Sequence, residues 1–411
     1  MKRVAALALA SVASVALSTA IAVPALAAPV PLDDSFSGDG TAVLKGNGFE
    51  YNYGVTADGD AVYAYGGAAA NWNKYSKHQV VERYLPNGRL DPNFSGDGVK
   101  TLQYTKSSAA IDGAMTADGR LLVAGWTQNG LTVTQLKSNG ALDKSFADHG
   151  TKRIAVKQAA SAPQVEVLST GQIVVTWTRI TNWKPRTSDL QFTRLRPNGS
   201  TISSFGHGGV RTVDIWRNDQ LDDMAVAADD RVYVAAWSAS GKQPRGLVSV
   251  VSLSPKDRVW VKKFNEYGSH GTYTAGINVD ASNNALVGIT PFNAPGVGVL
   301  KVTSDGSLDH SYSGDGVAKA DCTCYTTDSV LTAGGVVVLG GSSNGSKVNG
   351  IRFTNTGAFD TAFSGGQANW DLFPGGEFPG AASVDASGRL LLVGNYGGKT
   401  GNAYVARVLV P

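Results

Sequence analysis

The chain has 411 residues, 50 of them glycine, with 42% apolar and 17% charged side chains and a formal charge of +3. That apolar content is enough to build packed cores and excludes a wholly disordered chain, while the absence of a Gly-X-Y period or a heptad excludes collagen and long coiled coils. The small net charge offers no general attraction to nucleic acid or to an anionic membrane.

The first segment reads as an export signal. Lys2 and Arg3 precede an unbroken Ala/Val/Leu/Ser stretch from Val4 to Val23, which Pro24 ends. Ala25-Leu26-Ala27 is a small-residue cleavage site, so residues 1–27 are expected to be a signal peptide and the mature chain to start at 28. An uncleaved anchor is the alternative, since the stretch is nearly long enough to span a bilayer. Its Ala/Ser content favours cleavage. No second apolar stretch of spanning length follows, so a secreted, extracellular protein without a membrane span is expected.

Beyond the signal the chain is repetitive. One element opens as LDDSFSGDG at Leu32 and is complete as RYLPNGRLDPNFSGDGV (Arg83–Val99) and KVTSDGSLDHSYSGDGV (Lys301–Val317). Copies with changes start at Gln135, Arg194 and Arg352, and a degenerate one at Ser252. Its aromatic falls at Phe36, Phe94, Phe146, Phe205, Phe264, Tyr312 and Phe363, roughly 55 residues apart. A second element, such as TADGRLLVAGW at Thr116 and DASGRLLLVGN at Asp385, alternates strictly with the first. Each unit holds four strand-like runs. In the second unit they are Ile111–Thr116, Arg120–Trp126, Leu131–Leu136 and Thr151–Val156.

Four strands repeated seven times predict an all-β fold: a seven-bladed β-propeller with four-stranded antiparallel blades. The ends are complementary. The chain finishes at AYVARVLVP (Ala403–Pro411), the first half of the first element, and the mature chain begins with the second half. A single domain over residues 28–411 follows. Its last blade is expected to combine about 372–411 with 28–45, an outer strand near Thr41–Lys45 closing the ring. Both elements resemble the delta-60 repeat, a bacterial extracellular repeat. The G-x-L-D-x-x-F-x-x-D-G block carries the likeness, with its Asp at Asp33, Asp91, Asp143 and Asp309. The resemblance implies a propeller and export, and no reaction.

A residue repeated at one place in most units reads as a part of each blade. Arg83 with Asp91, and Arg352 with Asp360, are expected to pair across the turn between strands three and four, and the aromatic to pack between blades. No cofactor is expected. Calcium at Ser37-Gly38-Asp39-Gly40 or Ser313-Gly314-Asp315-Gly316 is the sharper alternative, although neither turn follows the EF-hand pattern. Cys322 and Cys324 read as a disulfide; free thiols or a soft-metal pair are the alternatives. A C-x-C bridge closes a very small ring, so it is expected to be reducible.

Propeller geometry sorts the loops into a repetitive face and an irregular one, and recognition usually resides where loops vary. The irregular face carries the candidate ligand-binding residues Trp72, Tyr75, Trp183, Arg186, Trp216, Asp219 and Trp370, suited to a sugar ring or an extended peptide. The leading expectation is a monomeric binding or scaffold module for an extracellular glycan or protein, with no catalytic residues assigned. The alternatives are a purely structural envelope protein and a propeller enzyme with an acidic cluster at the central channel, built from Asp222, Asp223, Glu377 and His270. Converging acids of shifted pKa would favour the enzyme.

Overall fold

A computed structural model describes residues 29–44, 49–69, 78–104, 107–156, 163–184, 186–240, 246–292, 294–342, 345, 347–397 and 401–410. The expected signal peptide, Trp72 and Tyr75 lie outside the described residues.

Alternating apolar residues and Gly-centred turns produce short strands. The chain begins with β1 (Thr41–Leu44). A first group is β2 (Phe49–Asp58), β3 (Ala61–Ala69), β4 (His78–Tyr84) and β5 (Val99–Gln103). The next is β6 (Ser108–Met115), β7 (Leu121–Thr127), β8 (Gly130–Leu136) and β9 (Thr151–Ile154), close to the expected runs. Then come β10 (Gln164–Val167), β11 (Ile173–Trp183), β12 (Arg186–Leu195) and β13 (Val210–Val213). They are followed by β14 (Asn218–Val226), β15 (Val232–Ala239), β16 (Gly246–Leu253) and β17 (Val259–Phe264). Further on are β18 (Thr272–Val279), β19 (Ala285–Pro291), β20 (Val297–Val302) and β21 (Val317–Ala320). The last are β22 (Cys324–Thr332), β23 (Gly335–Ser342), β24 (Val348–Thr354), β25 (Gln367–Trp370), β26 (Glu377–Val384), β27 (Leu390–Tyr396) and β28 (Asn402–Val408).

The groups β2–β5, β6–β9, β18–β21 and β22–β25 each form a four-stranded antiparallel sheet in chain order. β10–β13 and β14–β17 do the same, and a parallel bridge from Ser188 to Asn218 joins them into one eight-stranded sheet. The remaining sheet mixes the chain ends, in the order β1-β28-β27-β26. Thr41–Leu44 pairs antiparallel with Ala403–Ala406, as the complementary half-elements predict. The first strands of successive groups lie side by side: β2 against β6, then β10, β14, β18, β22 and β26, with β26 back against β2.

The apolar cores sit between sheets. One cluster joins Tyr63, Tyr65, Val81 and Phe94 to Ala110, Leu121, Val123 and Leu136 of the next sheet. Another joins Val330, Val337, Leu339 and Phe363 to Leu390, Leu392 and Tyr404. Full burial of one such side chain contributes roughly 1.5–3 kcal/mol.

The repeated polar residues form a clasp. Arg83 pairs with Asp91. Arg352 Nε lies 2.6 Å from Asp360 Oδ2, and Arg407 Nε lies 2.8 Å from Asp33 Oδ2. Lys301 Nζ, at the same place, lies 3.2 Å from Asp309. The cation also covers a ring, with Arg352 4.9 Å from the Phe363 centroid and Arg407 4.7 Å from that of Phe36. The next residue then reaches the following sheet: Ser37 N–H donates to Asn87 O at 2.8 Å, and Ser95 N–H to Asn139 O at 2.9 Å. This contact explains the glycine of the N-G turn. Gly88 has φ +78°, and a Cβ there would lie 2.5 Å from Ser37 N.

Three units depart from the pattern. Gln135 stands where the cation would be, and Asp143 pairs instead with Arg120, whose Nε lies 3.1 Å away. Where the Asp is missing, Arg194 turns to the next sheet, lying 3.0 Å from Asp257 and donating to Ser254 O and Pro255 O. In the degenerate unit the expected aromatic, Phe264, lies on the outer strand β17 opposite Val248. Trp260 takes the aromatic's place: its ring meets Tyr233 edge-on, and its indole N–H donates to Ser304 O of the next turn at 3.2 Å. The reason is length, because only a short turn joins β16 to β17 and leaves no loop in which Phe264 could fold inward.

Arg407 is 1% exposed and donates to Asp33, to Pro86 O at 2.7 Å and to Ser35 Oγ at 3.0 Å. It therefore links both chain ends to the β2–β5 group. Arg407→Met should cost about 3–5 kcal/mol, because it leaves Asp33 buried with its main partner removed. Arg120→Met, at a pair whose arginine is 40% exposed, should cost less than about 1 kcal/mol. Urea denaturation of both variants checks this, and equal losses would contradict it.

Candidate functional site

Inner strands alternate like any others, yet most of them carry an extra residue. Register shifts interrupt β2 at Asn52/Gly54, β6 at Ala110/Asp112, β14 at Leu221/Asp223, β18 at Thr274/Ile277, β22 at Thr326/Asp328 and β26 at Pro379/Ala382. A bulge re-aims side chains and leaves N–H groups outside the ladder. The bulges border an axial cavity of about 470 Å³, lined by β2, β6, β10, β14, β18, β22 and β26. The cavity occupies the half of these strands that leads to the repetitive turns, reaching Thr56, Val226, Val279 and Ser383.

Five carboxylates line it: Asp112, Glu166, Asp222, Asp223 and Asp328. No Lys, Arg or His is among the described lining residues. Three of the acids are held alike. Asp112 Oδ1 accepts from Gly113 N–H at 2.8 Å and its Oδ2 from Val165 N–H of the next group at 2.7 Å. Asp223 spans Met224 and Ile277 at 2.7 and 2.9 Å, and Asp328 spans Ser329 and Ala382 at 2.7 and 2.8 Å. Asp222 accepts from Gly276 N–H at 3.0 Å. Asn278 bridges another seam, accepting from Leu331 N–H at 2.9 Å and donating to Ser329 O at 3.1 Å.

Burial pushes Asp112 up to about 7. Burial and the neighbouring Asp112 charge push Glu166 up to about 8. Asp328 rises to about 7 through burial and the charges of Asp222 and Asp112. Burial also raises Asp222, and burial with the Asp328 charge takes Asp223 well above the carboxylate range. The N–H donors pull each acid down, and desolvation outweighs them.

The acids expected at the channel do not all meet. Asp222 and Asp223 line the cavity. Glu377 is fully buried and accepts from Phe373 N–H at 2.6 Å, and His270 is exposed in a 3-10 turn. Asp112, Glu166 and Asp328 were not singled out in the sequence. Each is an ordinary strand residue; bulges adjoin Asp112 and Asp328, whereas Glu166 faces the cavity from the regular strand β10.

On the irregular face Trp183 is 57% and Trp216 38% exposed. Trp183 pairs with exposed Arg186 at the tip of the β11–β12 hairpin, and Lys263 Nζ lies 5.1 Å from the Trp216 ring centroid. Asp219 is fully buried, its carboxylate accepting from Ile215 and Trp216 N–H at 2.8 and 3.1 Å. It thus shapes the Trp216 loop from beneath. With Asp189 and Asp214 it forms a group whose carboxylate oxygens lie within 4.8 Å of one another. Trp370 is a core residue, 6% exposed, and its indole N–H donates to Val30 O at 3.0 Å. Its ring therefore presents no stacking surface. Asp39 and Asp315, in the turns considered for calcium, accept from Thr41 and Val317 N–H at 2.8 and 2.9 Å. Cys322 and Cys324 are bridged.

These features can be compared with known proteins. Residues 116–146 match a family model described as a domain of unknown function (DUF5122) beta-propeller. No curated protein matches the chain. The structure is similar to that of streptogramin B lyase, at 10% identity and a TM-score of 0.52, covering 89% of this chain and 97% of that one. It is also similar to the soluble aldose sugar dehydrogenase of Escherichia coli in its apo-form (10% identity, TM-score 0.44, 72% and 95% covered). A third likeness is to YCF48 bound to D1 peptide (9% identity, TM-score 0.48, 94% and 99% covered). The fold is a β-propeller. Among the described residues no helix is long and apolar enough to cross a membrane.

The channel acids make stability depend on pH. Their folded-state pKa values are raised, so their contribution is complete below the ordinary carboxylate range and is lost as pH rises through 7 to 8. The melting temperature should therefore fall between about pH 4 and pH 8, and Glu166→Gln should flatten the upper part of that fall. A melting temperature that is level or rises across this range would show that the acids stay ionised at no cost.

Proposed function

We propose that the protein is an exported, monomeric binding module: a seven-bladed β-propeller over residues 28–411, released after a signal peptide at 1–27. The pairing of β1 on β28 and the unbroken neighbour series of first strands support a closed ring. The ligand site is the axial cavity. One observation carries this reading: five carboxylates share the cavity with no basic side chain among the described lining residues. Such a site gains negative charge as its acids ionise around neutral pH, and backbone N–H groups hold the acids in place before a ligand arrives. It suits an amino-bearing glycan or a peptide presenting lysine. The alternative, a propeller enzyme, is supported by the converging acids of raised pKa, with Glu166 and Asp222 as its candidate acid–base groups; against it, Asp112, Asp223 and Asp328 each have both oxygens engaged by N–H groups.

A second reading rests on the exposed rings of Trp183 and Trp216 near Arg186 and Lys263, where a sugar or peptide would stack on the irregular face. Calorimetry with tetralysine separates the two. With its N-terminus acetylated, only its side-chain ammonium groups carry positive charge and they stay protonated between about pH 5.5 and 8.5 whereas the channel acids ionise, so binding should tighten about tenfold or more over that range. Glu166→Gln and Asp222→Asn should each weaken it about tenfold, equivalent to about 1.4 kcal/mol. Equal affinity at both pH values rules the channel out. A loss confined to Trp183→Ala or Trp216→Ala moves the ligand to the irregular face.

A further inference from the structure

The disulfide is the one covalent cross-link among the described residues, and its ends are two positions apart in sequence. It joins no distant parts of the chain, so it adds little to the stability of the fold. Its surroundings point elsewhere. Cys322 is 4% exposed and packs with Val297, Val299 and Val336 in the core between neighbouring sheets. Its carbonyl accepts from Gly296 N–H at 3.0 Å. Cys324 is half-buried and opens β22, paired with Ser342 of β23. Cys322 is thus anchored in the core and Cys324, half-buried, packs against the same core, on backbone that strand pairing and Gly296 hold in place.

Both cysteines line a groove of about 710 Å³. Tyr273, Pro291 and Phe292 form one wall, and Tyr325, 39% exposed, forms the other. The Tyr273 and Phe292 rings meet edge-on with centroids 5.2 Å apart. The groove has the apolar, aromatic character that seats an extended polypeptide, with the disulfide within it.

We propose that Cys322 and Cys324 form a thiol–disulfide exchange centre whose partner is an external thiol seated in this groove. A partner thiolate attacks Cys324 Sγ, forming a mixed disulfide and expelling Cys322 as a thiolate. A second partner thiolate then attacks the partner's own sulfur in that mixed disulfide and expels Cys324. The partner leaves as a disulfide, two electrons have passed to this chain, and each cysteine thiolate takes a proton from water. An external disulfide reverses the steps. Exposed Asp321 and Thr323 flank the cysteines, and the carboxylate of Asp321 disfavours an anionic partner relative to a neutral one.

Two sources supply a thiol, a low-molecular-weight compound and a cysteine within a polypeptide. The Cys322→Ser variant keeps Cys324 and traps the mixed disulfide. It is incubated with the symmetric disulfide of a capped, neutral cysteine tripeptide or with oxidised glutathione, and adducts are timed by mass spectrometry. Circular dichroism monitors the fold. The native chain should react too, giving the dithiol with excess tripeptide thiol and without denaturant. Tyr325→Ala and Phe292→Ala, placed on Cys322→Ser, should slow the tripeptide adduct about tenfold and change the reaction with a small uncharged disulfide less than twofold. Faster reaction of the tripeptide identifies a polypeptide partner, and faster reaction of glutathione a low-molecular-weight one. Either supports exchange. No adduct on folded Cys322→Ser, or wall variants that leave the favoured partner's rate unchanged, overturns the proposal.

Discussion

Every sheet of this protein depends on its neighbours, because its apolar faces are buried against the sheets beside it and not within itself. Tyr63 and Phe94 are covered only when Leu121 and Val123 of the next sheet are present, and Phe363 only when Leu390 and Leu392 are. A four-stranded sheet alone would expose both faces to water and could not fold. The constraint passes from sheet to sheet until the chain ends meet, which is why β1 and β28 share a sheet and why a buried Arg407 spans both ends.

The polar clasp serves the same packing. A cation over the aromatic ring, paired with the Asp eight residues on, lets a turn rich in backbone polar groups lie on an apolar seam with its hydrogen bonds satisfied. Its departures are informative. Arg194 without its Asp remains buried and borrows Asp257 from the following sheet, since an unpaired guanidinium there would be costly. Trp260 replaces a missing loop aromatic from a strand position, and its indole N–H makes the contact to the next turn. The seam must be filled and its polar groups paired, whichever residue supplies the atoms.

The channel follows a different economy. Bulged inner strands leave N–H groups facing the axis, and Asp112, Asp223 and Asp328 satisfy them across neighbouring strands. The same acids crowd one another with no basic side chain among the described lining residues, so the atoms that knit the inner strands together also create a site of concentrated negative charge. Structural and recognition roles reside here in the same side chains.

Much of this was legible in the sequence because it is local. Turn chemistry, alternation and the Arg–Asp spacing act within about twenty residues, so the strand groups and the pairs Arg83–Asp91 and Arg352–Asp360 could be read from the repeats; the sharing of the last sheet by both ends could be read because each end carries one half of the repeated element. Other features depend on residues roughly 55 positions apart meeting on an axis or across a seam. Asp112, Glu166 and Asp328 look like ordinary strand acids until the packing of the first strands around the axis, with bulges beside Asp112 and Asp328, brings them into one cavity. Trp370 looks like a surface aromatic until Val30 and the last sheet cover it, and Phe264 like a core aromatic until the short β16–β17 turn holds it on an outer strand. The sequence by itself determined which segments form strands and which sheets they join, because backbone pairing and turn geometry are short-range. Only the tertiary structure decided which side chains face the axis, the seams or solvent, because burial and electrostatic coupling arise only once separate sheets are packed together.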